Sequence, residues 1–211
     1  MFQECRECSK SVEDISGHIP ETMVRSTNFV GKRTFILLWT LASVTGFVFL
    51  PLIIWHGAYD VTGRVLVDAF LQGFSLPALQ SILLKGRLPQ RNWWVLLSAM
   101  GWFAVWLGLY LARIPLGTNQ LLNTLAVWAL VGLVLAIAHW WLLRKMKAVW
   151  WWLGLSFLGL VLGSVALWAG TVYLGTERWG MVGQGIVYGL CSGVGMVQFL
   201  RSQPPRKLFT G

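Results

Sequence analysis

The sequence predicts an all-α membrane protein whose six transmembrane helices form three tandem two-helix repeats in a pseudo-threefold arrangement. Three observations predict it. The apolar residues fall into six long runs, at 34–55, 65–84, 93–113, 121–143, 148–174 and 180–200. The pattern Trp-x3-Ser-x2-Gly occurs at Trp39/Ser43/Gly46, Trp94/Ser98/Gly101 and Trp152/Ser156/Gly159, each time in the first run of a pair. All but three of the 17 Lys and Arg flank the runs on one side.

Each run holds about 20 residues or more, which at about 1.5 Å per residue crosses a hydrocarbon core of about 30 Å. The runs are continuous rather than alternating, which excludes an outer-membrane barrel. Residues 1–33 are polar, carry mixed charge and lack an apolar core. They read as a cytosolic arm broken at Gly17 and Pro20, not as a cleavable signal peptide. Residues 34–201 form the transmembrane domain, and 202–211 a short basic tail.

The net charge of +9 invites a nucleic-acid reading, but its distribution does not. Arg6, Lys10, Arg25, Lys32 and Arg33 precede the first run; Lys85, Arg87 and Arg91 follow the second; Arg144, Lys145 and Lys147 follow the fourth; Arg201, Arg206 and Lys207 follow the last. Only Arg64, Arg113 and Arg178 lie on the other side. That asymmetry places both termini in the cytoplasm. Anionic headgroups account for the charge without DNA or RNA.

The hairpins read as 34–84, 93–143 and 148–200. In each first helix the motif residues lie at i, i+4 and i+7, on one face. Each second helix carries a small residue seven before a polar one: Gly73/Gln80, Gly132/His139 and Cys191/Gln198. The equal 59-residue steps from 80 to 139 and from 139 to 198 favour that register. An even number of spans per repeat gives all copies one orientation. The axis then runs along the membrane normal, unlike an inverted-repeat transporter.

The stretches Gln80-Ser-Ile-Leu-Leu-Lys85 and His139-Trp-Trp-Leu-Leu-Arg144, each followed by Trp-Trp and a Ser-x-x-Gly turn, resemble a known repeat type. It is the "Q-W-x-x-L-R … WW … GW" hairpin of multipass proteins common in cyanobacteria. The similarity spans about residues 63–201, with His139 and Ser81 where the pattern has Gln and Trp. The resemblance implies a bacterial inner membrane or a thylakoid, and it supplies no catalytic activity to carry over.

Several residues are candidates for chemistry or recognition. Gly185, Gly189 and Gly193 in the last run, and Gly159 and Gly163 in the fifth, are spaced for close helix packing, within the bundle or against a partner helix. Gln80, His139 and Gln198 would share one depth, as helix clamps or as a polar ring around a solute path. Asp68, the only carboxylate inside a run, lies four residues after Arg64. The two read as a snorkelling pair or as an ion or proton site. Cys5-x-x-Cys8 reads as plain cytosolic thiols; with His18 the pair offers three of the four ligands that zinc usually takes, and a redox-active dithiol is the other alternative. Trp93, Trp94, Trp140, Trp141, Trp150, Trp151 and Trp152 gather near the cytoplasmic ends, and Trp55, Trp168 and Trp179 near the others, as an aromatic belt does. A chlorophyll or quinone pocket is the sharper alternative.

No phosphate-binding loop, dinucleotide fingerprint, metalloprotease motif or nucleophile elbow occurs. The leading expectation is a non-enzymatic assembly or accessory subunit, held in the lipid bilayer beside a membrane-protein partner. A small-solute or ion channel through the Gln80/His139/Gln198 ring is the first alternative. A pigment- or quinone-binding subunit is the second.

Overall fold

The chain divides into two units, Met1–Lys32 and Arg33–Gly211, and the second builds the helical bundle. A computed structural model describes residues 31–54, 61–85, 87–88, 90–111 and 119–203. Cys5, Cys8 and His18 lie outside the described residues.

Six helices and no strand occur among the described residues: α1 (Lys32–Ile54), α2 (Val61–Leu83), α3 (Arg91–Leu111), α4 (Gln120–Leu143), α5 (Val149–Tyr173) and α6 (Glu177–Ser202). Of these, α3 to α6 are long and apolar enough to cross a membrane. The ends follow local chemistry. Asn119 caps α4 by accepting from the Leu122 N–H, and Thr176 caps α6 by accepting from Trp179. Gly175 follows α5 at φ +66°, a left-handed conformation glycine adopts without strain, so the connection to α6 is only three residues long. At the far end of α6, Ser202 and Gln203 both donate to the Lys147 carbonyl in the α4–α5 turn.

Each helix packs on the next, and the last packs on the first. Glycine makes every seam. A Cβ built on Gly46 would lie 2.7 Å from Leu76 Cα, one on Gly101 3.1 Å from Leu135, and one on Gly159 3.2 Å from Tyr188 Cα. These are the seams within hairpins. Between hairpins, a Cβ on Gly73 would meet Trp102 and Ala99, one on Gly132 would meet Phe157 and Leu160, and one on Gly185 would lie 2.7 Å from Val44 Cα. The motif glycine is therefore the point where each first helix meets its own second helix. Small residues permit such approach where no hydrophobic effect drives helices together.

These contacts overturn the register expected for the third hairpin. Gly185, not Cys191, occupies the position of Gly73 and Gly132. The polar residue seven further on is then Ser192, not Gln198. Equal 59-residue steps misled because the third hairpin's connection is short: α5 ends at Tyr173 and α6 begins at Glu177, whereas α3 ends at Leu111 and α4 begins at Gln120.

With this register the interior resolves into three layers. The outer layer on one side holds Trp39, Trp94 and Trp152 from the first helices and Leu84, Leu143 and Met196 from the second, all within one hydrophobic cluster. Four residues along each helix comes a polar layer. Beyond it lie Phe47, Trp102 and Leu160, with Leu76, Leu135 and Tyr188, in a second cluster. Trp39 stacks on Trp94 with ring centroids 5.9 Å apart, and Trp94 meets Trp152 edge-on at 5.6 Å. Trp94 and Trp152 are thus core residues, a correction to the belt reading. Their neighbours Trp93, Trp150 and Trp151 are exposed, as are Trp141 and Trp179.

The outside is apolar: Leu37, Leu41, Ile82, Leu133 and Ile137 are all more than half exposed. A bundle with serine, glutamine and histidine inside and leucine and tryptophan outside suits lipid rather than water.

Candidate functional site

The polar layer comprises Ser43, Ser98 and Ser156 from the first helices and Gln80, His139 and Ser192 from the second. Ser43 donates its hydroxyl proton to the Trp39 carbonyl four residues back, at 2.8 Å. Its oxygen then accepts from Gln80 Nε2 at 3.1 Å. Ser98 repeats the arrangement, donating to the Trp94 carbonyl at 2.8 Å and lying 2.8 Å from His139 Nε2. Because the single Ser98 proton is already committed, the His139 Nε2 carries the hydrogen in this bond. With Nε2 protonated, Nδ1 is an acceptor when the ring is neutral.

The third hairpin differs. Ser192 donates back to the Tyr188 carbonyl at 2.7 Å, but the N–H it accepts comes from Trp39 Nε1, at 2.9 Å, across the α6–α1 seam. The bond that would tie α5 to α6 instead ties the last helix to the first. The Tyr188 side chain lies near those of Gln80 and Ser192. Ser156 is left over: its Oγ is buried and bonds no protein atom, and the same is true of Trp94 Nε1 and Trp152 Nε1.

Of the three residues expected to form a ring, Gln80 and His139 are buried, while Gln198 is exposed on α6. The structure does not bring Gln198 to the other two, because the third-hairpin register is displaced. Gln80 and His139 each turn toward the serine of their own hairpin rather than toward a shared opening. Ser192, Tyr188 and Gln184 escaped the sequence reading. Gln184 is fully buried, and neither of its amide atoms bonds protein. Gly185-x6-Ser192 repeats the spacing of Gly73-x6-Gln80, a signal that was present but competed with the equal-step register.

The five glycines offered as a packing or partner face are all used internally. Gly185, Gly189 and Gly193 receive Val44, Thr40 and Trp39 of α1, while Gly159 and Gly163 receive Tyr188 and Gln184 of α6. None is left for a partner helix. Arg64 and Asp68 lie on α2, with side chains outside the described residues. Among the described residues no group of three or more His, Cys, Asp or Glu could hold a metal ion.

His139 is flanked by the rings of Trp94 and Trp152, at 5.7 and 5.1 Å. The cavity beside it measures about 20 Å³. That is water-sized, smaller than a haem, chlorophyll or quinone ring. Within the layer, Gln80, His139 and Trp39 bond across helix seams to Ser43, Ser98 and Ser192.

The first-hairpin glutamine supplies a test of that role. His139→Gln should keep Tm close to wild type, since Gln80 performs the same donation to Ser43. His139→Leu should lose about 0.6–1.7 kcal/mol, the range for interhelical polar bonds in a membrane host. Thermal melts in detergent distinguish them; equal losses for both variants would contradict the clamp.

No protein-family model, curated protein or solved structure matches this chain.

Proposed function

We propose that the chain is a six-span membrane protein of three hairpins about a pseudo-threefold axis, with both termini cytoplasmic, serving as a non-enzymatic assembly or accessory subunit of a membrane complex. The observation that carries this reading is the pairing of buried polar groups across helix seams: Gln80 with Ser43, His139 with Ser98, and Trp39 with Ser192. Groups engaged in holding helices together do not face a substrate, and the indoles of Trp39, Trp94 and Trp152 fill the interior beside them. A solute path would need polar groups facing a shared opening. The exposed aromatic surface of Trp93, Trp141, Trp150 and Trp151 suits lipid headgroups and neighbouring subunits. The arrangement of Lys and Arg supports the orientation, and the hairpin resemblance supports a bacterial inner or thylakoid membrane.

The test is extraction in mild detergent at native expression, followed by native-gel separation and mass spectrometry. The chain should migrate in a complex of defined composition. Isolation as a free monomer at every expression level would defeat the proposal.

A further inference from the structure

The two connections between hairpins differ in what they do with their cations. In the first, between α2 and α3, Leu84 and Leu88 are buried, and the Arg87 guanidinium lies over the Phe35 ring of α1, 5.2 Å from its centroid. In the second, between α4 and α5, Arg144, Lys145 and Lys147 are all exposed. The Lys147 carbonyl accepts from Ser202 and Gln203, so the backbone of this turn is pinned to the end of α6.

Cations flanking a span mark its orientation and nothing more. The aromatic residues at this turn make it a place. Trp140 and Trp150, 38% and 68% exposed, meet across the α4–α5 seam with ring centroids 6.1 Å apart. Arg144 follows Trp140 by four residues and keeps helical dihedrals, so it continues the same helix face one turn further on. The register that pairs Gln80 with His139 and Trp94 with Trp152 puts Ser81 and Asn92 at the equivalent positions of the first connection. The first two hairpins therefore join without such a pair, and the packing of the bundle does not call for one.

The chemistry selects an anion with an apolar body. Among the side chains the structure describes, the one carboxylate is Glu177, which opens α6. The other end of that helix, Ser202, bonds the turn, so roughly 38 Å of helix separates the carboxylate from the three cations. Salt screens exposed charges within about 8 Å, and the turn keeps its positive potential. Cations beside the indoles repel a quaternary ammonium, which excludes a choline cage. Below Trp140 on its own face, Ile137 and Leu133 are more than half exposed.

We propose that the α4–α5 turn is a binding site for one anionic phospholipid. The phosphate lies against Arg144 and Lys147, the two indoles hold the glycerol region, and an acyl chain runs along Ile137 and Leu133. The site rests on α4 and α5 crossing the membrane, and it is independent of the accessory-subunit role.

Native mass spectrometry of full-length, delipidated protein in detergent provides the test, with phosphatidylglycerol and phosphatidylcholine as the two probes. Wild type should carry one phosphatidylglycerol per chain at concentrations where phosphatidylcholine leaves it bare. Arg144→Gln/Lys147→Gln should bind phosphatidylglycerol about 30-fold more weakly, as loss of two cations at a membrane surface predicts. Trp140→Leu/Trp150→Leu should weaken it as well with every charge intact, which attraction by charge alone would not show. Lys85→Gln/Arg91→Gln, with the same change of net charge at the first connection, should bind as wild type does. The lipid-free melts of all three variants should match wild type. Equal binding of the two lipids by wild type would overturn the site and leave the cations to an acidic segment of a neighbouring subunit. Equal losses in the two charge variants would overturn it too. Neither result bears on the mass of the native complex, which reads the assembly role.

Discussion

Gly189→Ala should destabilise the bundle by about 1–3 kcal/mol, and Gly189→Leu by more. A Cβ at this position would lie 2.6 Å from the Thr40 Cα. The obstacle is backbone, which no rotamer change can move, so α1 and α6 must separate. Gly185→Ala meets the Val44 Cα in the same way, at 2.7 Å. Separating these helices also breaks the Trp39–Ser192 bond and opens the seam that closes the bundle on itself. Gly108 and Gly154 are the controls, since a Cβ there meets nothing within 4 Å. Alanine at either should be neutral or stabilise by up to about 1 kcal/mol through helix propensity. Melting in detergent with size-exclusion profiles gives the answer. Gly189→Ala as benign as Gly154→Ala would mean that α6 does not rest on α1.

Trp94→Ala carries the second large effect, about 3–5 kcal/mol, as expected for a buried tryptophan cut to alanine. Trp94 is 1% exposed and stands between Trp39 and Trp152, with His139 at its edge. Its removal leaves a cavity bordered by two large rings and the Ser98–His139 clamp. Trp93→Ala, one residue earlier, removes a ring that is 58% exposed, and should cost under about 1 kcal/mol. Trp152→Ala against Trp151→Ala repeats the contrast in the third hairpin, where Trp151 is exposed and Trp152 is not. Similar losses for Trp93 and Trp94 would contradict the layered interior.

This contrast shows what sequence pattern reaches and what it does not. Tryptophans 93 and 94 are chemically identical and adjacent, and hydropathy treats them alike. A helix turns about 100° per residue, so one faces the core and the other does not. The motif set Trp94 on one face with Ser98 and Gly101, yet the belt reading still placed both tryptophans at the headgroups, and only the packing separated them. Its serine was legible as a repeated residue, but not as an acceptor, since the donors Gln80 and His139 come from another helix. Gln198 failed for the complementary reason. Equal spacing along the chain holds depth in register only if the connections are equally long, and the turn at Gly175 is shorter than the α3–α4 connection.

Glycine spacing carries a similar ambiguity. Gly185, Gly189 and Gly193 announce a face made for close approach, whatever approaches it. Only the path of the chain shows that the occupant is α1 of the same molecule, brought there because six helices in sequence close on themselves.

What the sequence alone determined is the set of apolar helices, their grouping into hairpins by a repeated Trp-Ser-Gly face, and a charge asymmetry that expects a single orientation. These are properties of short windows, governed by length, period and local composition. The tertiary structure decided which polar groups meet, that Ser192 rather than Gln198 completes the layer, that the glycine faces are filled from within, and that one serine is left without a protein partner. Those outcomes depend on loop length and on contacts between residues far apart in the chain, which no local pattern records.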